Sequence, residues 1–397
     1  MQYRKFGKLD WDVSALGFGA MRLPTRPLRG VDTEEAIRIM RRGFDLGINY
    51  VDTAWPYHMG ESEKVVGMAL KDGYRDKVRV TTKLPLYLVR KPEDVDRFLT
   101  QQLERLQMEY VDMYLFHSMN ALFWERVKRL KMLEQMEQAK RQGRIRHIGF
   151  SFHDTYPVFK DIVDAYDWDM VQIQYNYMDT AAQATTAGLE YAHSKGMAVV
   201  IMEPLRGGQL ANPPAEAQAL MDAAPVNRTP VDWALQFLWN RPEVSLVLSG
   251  MGTQQMVEEN CASADASGIG SLTAAEEQTL EAIAEIYRSK ILVPCTMCEY
   301  CMPCPYGVNI PKNFAILNSM HASEGPTRIQ VRLGYGKLTG RKRKVDKQHP
   351  NGNASICVQC GVCVEKCPQS IQIPEELKKV DAILGKFQRI SKHYPKQ

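Results

Sequence analysis

The chain has 397 residues, which is too long for one ordinary domain, and 45% of them are hydrophobic and 24% charged. That balance is the balance of a soluble globular protein. No stretch approaches the roughly 20 consecutive apolar residues that a membrane span requires. The net charge of +4 is too small to mark a nucleic-acid or membrane partner.

From the N-terminus, MQYRKFGKLDWDV lacks the apolar core of a secretory signal, so a cytoplasmic location is expected. Eight short apolar or β-branched runs follow: Leu16–Ala20, Tyr50–Thr53, Val78–Lys83, Val111–His117, Ile145–Ser151, Val171–Tyr175, Ala198–Met202 and Val244–Ser249. Helical periodicity separates successive runs. The first helix opens at Asp32 with Glu35 three residues on, as a capping box does, and ends at Gly47. Near-continuous apolar strands alternating with helices predict a parallel sheet, and eight units predict a closed (β/α)8 TIM barrel. An open doubly wound sheet is disfavoured because no G-x-G-x-x-G follows the first strand.

A further helix opens at Thr273 and Glu276, carries Leu280, Ile283 and Ile286, and runs to Lys290. There the composition changes, which places a boundary between a barrel of residues 1–290 and a second domain of residues 291–397. In that domain Ile310–His321 reads as a helix. Another follows Pro374, with Leu377, Val380, Leu384 and Phe387 on one side. The basic run Lys337–Lys347 has no interleaved aromatics and reads as a solvated linker, so neither a nucleic-acid nor a membrane partner is expected.

Of the nine cysteines, only Cys261 precedes residue 290. It sits among small residues of a helical stretch and reads as core. The second dense run, Cys357-x2-Cys360-x2-Cys363-x3-Cys367-Pro368, has the spacing of a bacterial ferredoxin half-site. The first run, Cys295-x2-Cys298-x2-Cys301-x2-Cys304-Pro305, differs by one residue before its last cysteine. In that arrangement three close thiolates cap one cubane and the fourth reaches its neighbour. Cys295, Cys298, Cys301 and Cys367 are then expected to hold one [4Fe-4S] cluster, and Cys357, Cys360, Cys363 and Cys304 the other. Zinc is the rival, but four-coordinate zinc gains nothing from a third Cys-x2 step or a terminal Cys-Pro. With a helix between its runs, the domain resembles the mainly helical, α-helical ferredoxin arrangement.

Active sites of such barrels lie at the C-terminal strand ends. Asp52, Lys83 and His117 end the second, third and fourth runs, and Tyr57 lies in the adjoining loop. Each alone has an ordinary structural reading; four on one rim point to chemistry. The motifs VDTA (51–54), Tyr57, GESE (60–63), TTK (81–83), YVDMYLFH (110–117), IRHIGFS (145–151) and EEN (258–260) make residues 1–265 resemble the aldo/keto reductase family. The resemblance implies a catalytic tetrad of Asp52, Tyr57, Lys83 and His117. Tyr57 is then the general acid that protonates a carbonyl oxygen as hydride arrives from NADPH or NADH. Elementary electrostatics agree, because an ammonium beside a tyrosine favours its phenolate. The resemblance also implies nicotinamide contacts at Ser151 and Gln174, and adenosine-phosphate contacts at Ser249, Gly250, Met251, Glu259 and Asn260. Three positions depart from the family pattern: Phe152 follows Ser151, Met202 stands where an aromatic is expected, and Met256 where an arginine is expected.

The expected protein is a cytoplasmic oxidoreductase acting on a small carbonyl or alcohol substrate. Its clusters serve electron transfer with an external carrier such as ferredoxin, or are structural. The alternative is a nicotinamide-sensing or electron-transfer module with little catalysis. Trp55, Tyr87, Met119 and Phe123 are candidates to line the mouth of the site.

Overall fold

The structure is a computed structural model and describes residues 1–26, 30–322, 326–340 and 351–395. Residues 341–347 of the basic run lie outside the described residues. The chain forms two compact units. One comprises Met1–Leu205 with Met221–Glu281; the other comprises Arg206–Leu220 with Ala282–Gln397.

In the first unit eight parallel strands close into a barrel: β1 (Leu16–Gly19), β2 (Tyr50–Asp52), β3 (Arg79–Leu84), β4 (Val111–Met119), β5 (Ile145–Phe152), β6 (Met170–Gln174), β7 (Ala198–Met202) and β8 (Leu246–Ser249). Their order round the barrel is β6-β7-β8-β1-β2-β3-β4-β5. The (β/α)8 architecture is therefore as the sequence predicts. Most strand ends shift by a residue or two, the usual uncertainty of helix and strand limits. β8 starts two residues after Val244, whose carbonyl instead accepts from Arg4 Nη1 at 2.8 Å.

Side chains alternate across each strand. One set, including Val51, Val80, Tyr114, Phe116 and Val171, faces the surrounding helices in the main core. The other set points inward: Tyr50, Met113, Leu115, Met170, Val200 and Leu246 form an apolar plug together with Phe6 and Val13. Phe6 and Val13 come from an N-terminal hairpin, Tyr3–Lys5 against Asp12–Ser14, which the sequence reading did not anticipate because its strands are short and charged. Two residues beyond Tyr50, Leu115 and Met170 the inward set turns polar, at Asp52, His117 and Gln172, and this is where the site lies.

The helix α1 (Thr33–Asp45) begins as expected, with the Asp32 side chain accepting from the Glu35 N–H. It buries Ala36, Ile39, Met40 and Phe44. Each large side chain of this kind contributes about 1.5–3 kcal/mol on burial. The helix Ala274–Lys290 opens on a reciprocal capping box. The Thr273 N–H donates to Glu276 at 2.8 Å, and the Glu276 N–H donates to Thr273 Oγ1 at 3.3 Å.

The second unit is mainly helical, with Ile310–Ala322, Pro326–Gly336 and Ile373–Val380 around a core that includes Phe314, Leu317, Leu377 and Ile383. Two asparagines of Ile310–Ala322 tie the cysteine loops down. Asn318 accepts from the N–H groups of Leu292 and Val293, both at 3.0 Å, just before Cys295. Asn313 donates to Gly352 O at 3.0 Å and accepts from the Ala354 N–H at 2.8 Å, just before Cys357. Gly352 is required here, since a Cβ would lie 2.6 Å from Gly307 O. The C-terminal helix differs from expectation. Leu377, Val380 and Leu384 are buried, but the chain turns after Gly385, and Phe387 has φ +61° and is 71% exposed. Among the described residues, no helix is long and apolar enough to cross a membrane.

Candidate functional site

At the C-terminal rim of the barrel, Lys83 from β3 lies against Asp52 from β2, with Nζ 2.5 Å from Oδ1. Nζ also donates to Thr53 O at 2.9 Å and to Tyr57 Oη at 3.3 Å. An ammonium has three hydrogens, and these are three acceptors. Gln172, from β6 on the far side of the barrel, donates to the other Asp52 oxygen at 3.0 Å. The Tyr57 ring meets the His117 imidazole edge to face, with centroids 6.1 Å apart. All four members of the expected tetrad are thus in one buried group, with Lys83 only 1% exposed.

Burial raises the Asp52 carboxyl above its ordinary range and lowers the Lys83 amine, each partly countered by the other's charge. Burial, then Lys83 and His153, hold His117 well below its ordinary value, so the imidazole is neutral at pH 7. His153 is brought down to about 4, chiefly by burial.

The loop carrying Tyr57 is fixed by the residues after it. His58 and Met59 adopt positive φ, and the helix Glu61–Ala69 begins at Gly60. Ser62 donates to Ala20 O and shares a hydrogen bond with Thr53, both at 2.8 Å. Fully buried Glu63 accepts from Thr82, Gln102 and Arg105. The GESE motif is therefore the clamp that presents Tyr57 to Lys83.

The expected nucleotide contacts fall into two groups. Ser151, on the inner face of β5, accepts from the Ser118 N–H at 2.8 Å. Gln174, at the end of β6, donates to Asp179 at 2.9 Å and accepts from Gln183 at 3.1 Å, and Gln183 in turn meets His153 Nδ1 at 3.2 Å. The second group surrounds the turn after β8. Asn260 donates to Ser249 Oγ at 3.1 Å, exposed Glu259 accepts from Gln255, and Gly250 packs closely on the stem of Arg22. Met251 is fully buried in the main core, so only its backbone faces the turn. This turn feeds the helix Gln254–Asp265, capped by Thr253; a helix N-terminus with Arg22 beside it suits a phosphate. These residues fit a phosphorylated nucleotide.

Of the four candidate mouth residues, Met119 is fully buried and Trp55 packs against Phe98 beneath the Arg105 guanidinium. Tyr87 is 43% exposed, and Phe123 is partly buried against the main core. Gln172, Gln183 and His153 were missed. A polar residue at alternate positions of the apolar β6 run was the available signal for Gln172.

In the second unit the two cysteine loops share a backbone course. Positive φ occurs at Met297 and Glu299 in one and at Gln359 and Gly361 in the other, the same two places relative to Cys295 and Cys357. Left-handed residues of this kind turn successive N–H groups inward, and the Gln359 N–H lies 3.4 Å from Cys357 Sγ. Cys295, Cys298, Cys301 and Cys367 line one cavity, with Ile310, Phe314 and Ile373 among its apolar walls. Burial, then the thiols of Cys298, Cys295 and Cys367, push Cys301 up. Cys363 is pushed up to about 11 by burial, with Cys357, Cys304 and Cys360 adding to it. Among the described residues no group of side chains is arranged to hold a single metal ion. A cavity walled by four thiols, on a loop with the same backbone course as the one whose Gln359 N–H meets sulfur, fits an iron–sulfur core.

Residues 15–284 match the profile of the aldo/keto reductase family, and residues 294–373 match that of a 4Fe-4S dicluster domain. L-Galactose dehydrogenase of Arabidopsis thaliana is 30% identical over 284 residues, which cover 66% of this chain and 88% of that protein. The NADH-specific methylglyoxal reductase of Escherichia coli is 28% identical over 225 residues, covering 51% and 67%. Among solved structures, the holo form of an aldo-keto reductase from Bacillus halodurans superposes with a TM-score of 0.61 at 27% identity, covering 71% of this chain and 96% of that one. An aldo-keto reductase from Klebsiella pneumoniae in complex with NADPH, at 23% identity and a TM-score of 0.59, shares the fold. The chain belongs to the aldo/keto reductase family and is an oxidoreductase whose barrel is followed by a 4Fe-4S dicluster domain.

Proposed function

We propose that the barrel reduces a small carbonyl compound, or oxidises the corresponding alcohol, with Tyr57 as general acid and base. The observation that carries this reading is the Lys83 ammonium, buried, locked by Asp52 and 3.3 Å from Tyr57 Oη. A bound NADPH or NADH would supply the hydride. As the substrate oxygen gains charge, Tyr57 passes its phenolic proton to it, and Lys83 stabilises the phenolate left behind. Neutral His117 offers an N–H to the same oxygen and orients it. Asp52 does not touch substrate; with Gln172 it holds the lysine in place. Ser151 and Gln174 would meet the nicotinamide, and Arg22 with the turn Ser249–Thr253 its distal phosphate. The names of the plant and E. coli relatives, a sugar dehydrogenase and a methylglyoxal reductase, support small polar carbonyls and alcohols as the substrate class.

Two [4Fe-4S] clusters would sit in the second unit, one on Cys295, Cys298, Cys301 and Cys367, the other on Cys304, Cys357, Cys360 and Cys363. Bound there they would carry single electrons, exchanged with an external carrier such as a ferredoxin. One observation favours the non-catalytic alternative: the first turn of Gln254–Asp265 contains Met256 and no basic residue, which weakens nucleotide binding. Steady-state NAD(P)H oxidation across a panel of aldehydes, ketones and sugars separates the two. Turnover in the parent and a loss of about 10²–10⁴-fold in Tyr57→Phe are expected. Nucleotide binding without turnover on any substrate would favour the sensing role.

A further inference from the structure

Thr296, between Cys295 and Cys298, is 1% exposed, and its hydroxyl has no hydrogen-bond partner among the described residues. A buried hydroxyl left unpaired costs about 1–3 kcal/mol, so its retention asks for an acceptor. Thr296 lines the same cavity as Cys295, Cys298, Cys301 and Cys367, whose other walls are apolar apart from the polar Glu299 and Gln369. Neither Glu299 nor Gln369 accepts from the Thr296 hydroxyl, which leaves sulfur of a core bound in that cavity as its acceptor. The second cysteine loop, which has the same backbone course, carries Val358 at the matching position, 54% exposed and without a hydroxyl.

We propose that Thr296 is a positioning residue that donates a hydrogen bond to sulfur of the iron–sulfur core held by Cys295, Cys298, Cys301 and Cys367, and so raises the reduction potential of that cluster alone. This rests on the ligand sets proposed above. A cluster gains negative charge on reduction, and a hydrogen bond to sulfur favours the more negative state. Apolar burial works the other way. The hydroxyl therefore counters the burial of the first cluster, and the more open second loop needs no such donor.

The test is an anaerobic redox titration of the full-length holoprotein, followed by electron paramagnetic resonance, with iron and sulfide assayed on each sample. In Thr296→Val the equilibrium constant for reducing one cluster should fall about tenfold, a 59 mV drop for one electron, while the other midpoint stays. Thr296→Ser, which keeps the hydroxyl, should stay near the parent. If the valine variant sheds iron, Thr296→Ala removes the same hydroxyl without added bulk and is expected to show the same single drop. Unmoved midpoints in a hydroxyl-free variant with full iron would overturn the proposal. So would a serine variant that falls as far as the valine one. A parent protein without iron would instead overturn the ligand assignment beneath it.

Discussion

The two units build their buried polar groups in opposite ways. At the barrel rim, every hydrogen of the Lys83 ammonium has an acceptor, and the Asp52 carboxylate is met from β3 and from β6. In the second unit, a buried hydroxyl lacks an acceptor among the described residues, and burial, with neighbouring thiols adding to it, raises the Cys301 and Cys363 thiols. The first is a constellation that protein atoms complete by themselves. The second is a set of thiols and a hydroxyl that an inorganic core would complete. Preorganisation in the barrel therefore comes from folding, and in the cysteine unit from folding together with metal.

The hardest way to strain this contrast is to remove the iron. Anaerobic chelation should lower amide-exchange protection across Val293–Leu317 by on the order of a hundredfold or more, with β3 and β4 unchanged. Equal loss in both units would break the contrast. Next, Lys83→Met should destabilise the barrel by about 3–5 kcal/mol in chemical denaturation, because it strands a buried carboxylate. Adding Asp52→Asn should recover most of that loss, and a double variant as unstable as the single one would deny the pair its role.

A smaller effect concerns pH. His117 and His153 both have folded pKa values below the ordinary 6.5, so below that pH the unfolded chain binds more protons. Their contribution is complete above pH 6.5 and is lost as pH falls below it, for His153 toward about 4, at up to about 1.4 kcal/mol per pH unit for each histidine. Urea midpoints that stay flat from pH 6.5 to 4.5 would contradict this. The smallest effect is at Cys261, buried in the barrel core with its thiol raised to about 11, mainly by burial. Cys261→Ala should cost about 1 kcal/mol and leave the iron content, expected at about eight per chain in the parent, unchanged. Lost iron would assign it to the wrong unit.

Much of this was legible in the sequence for one reason: both sites obey short periods. Asp52, Lys83 and His117 lie on the inward parity of strands whose apolar runs stand out, and the cysteines keep a ligand spacing. What escaped depends on long-range register. Gln172 reaches Asp52 across 120 residues because the barrel closes, and nothing local to either residue announces it. His153 and Gln183 meet through loops whose course no spacing sets. The Phe387 error has the opposite origin: a helical period was extended past Gly385, where the chain had already turned.

The excursion Arg206–Leu220 carries a lesson for anyone dividing this protein. It leaves after β7 and is compact with the cysteine unit, where Gln209 donates to Cys295 O at 2.7 Å, Tyr287 donates to Gln209 O at 3.2 Å, and Lys290 pairs with Glu216 at 2.7 Å. A single cut near residue 290 would give neither half its full complement. The upstream fragment would carry a stretch of chain whose partners were gone, and the downstream fragment would lose the prop beneath Cys295. In the vocabulary of gene fusion, the iron–sulfur module is not a cassette added to the end of a reductase but one threaded through it.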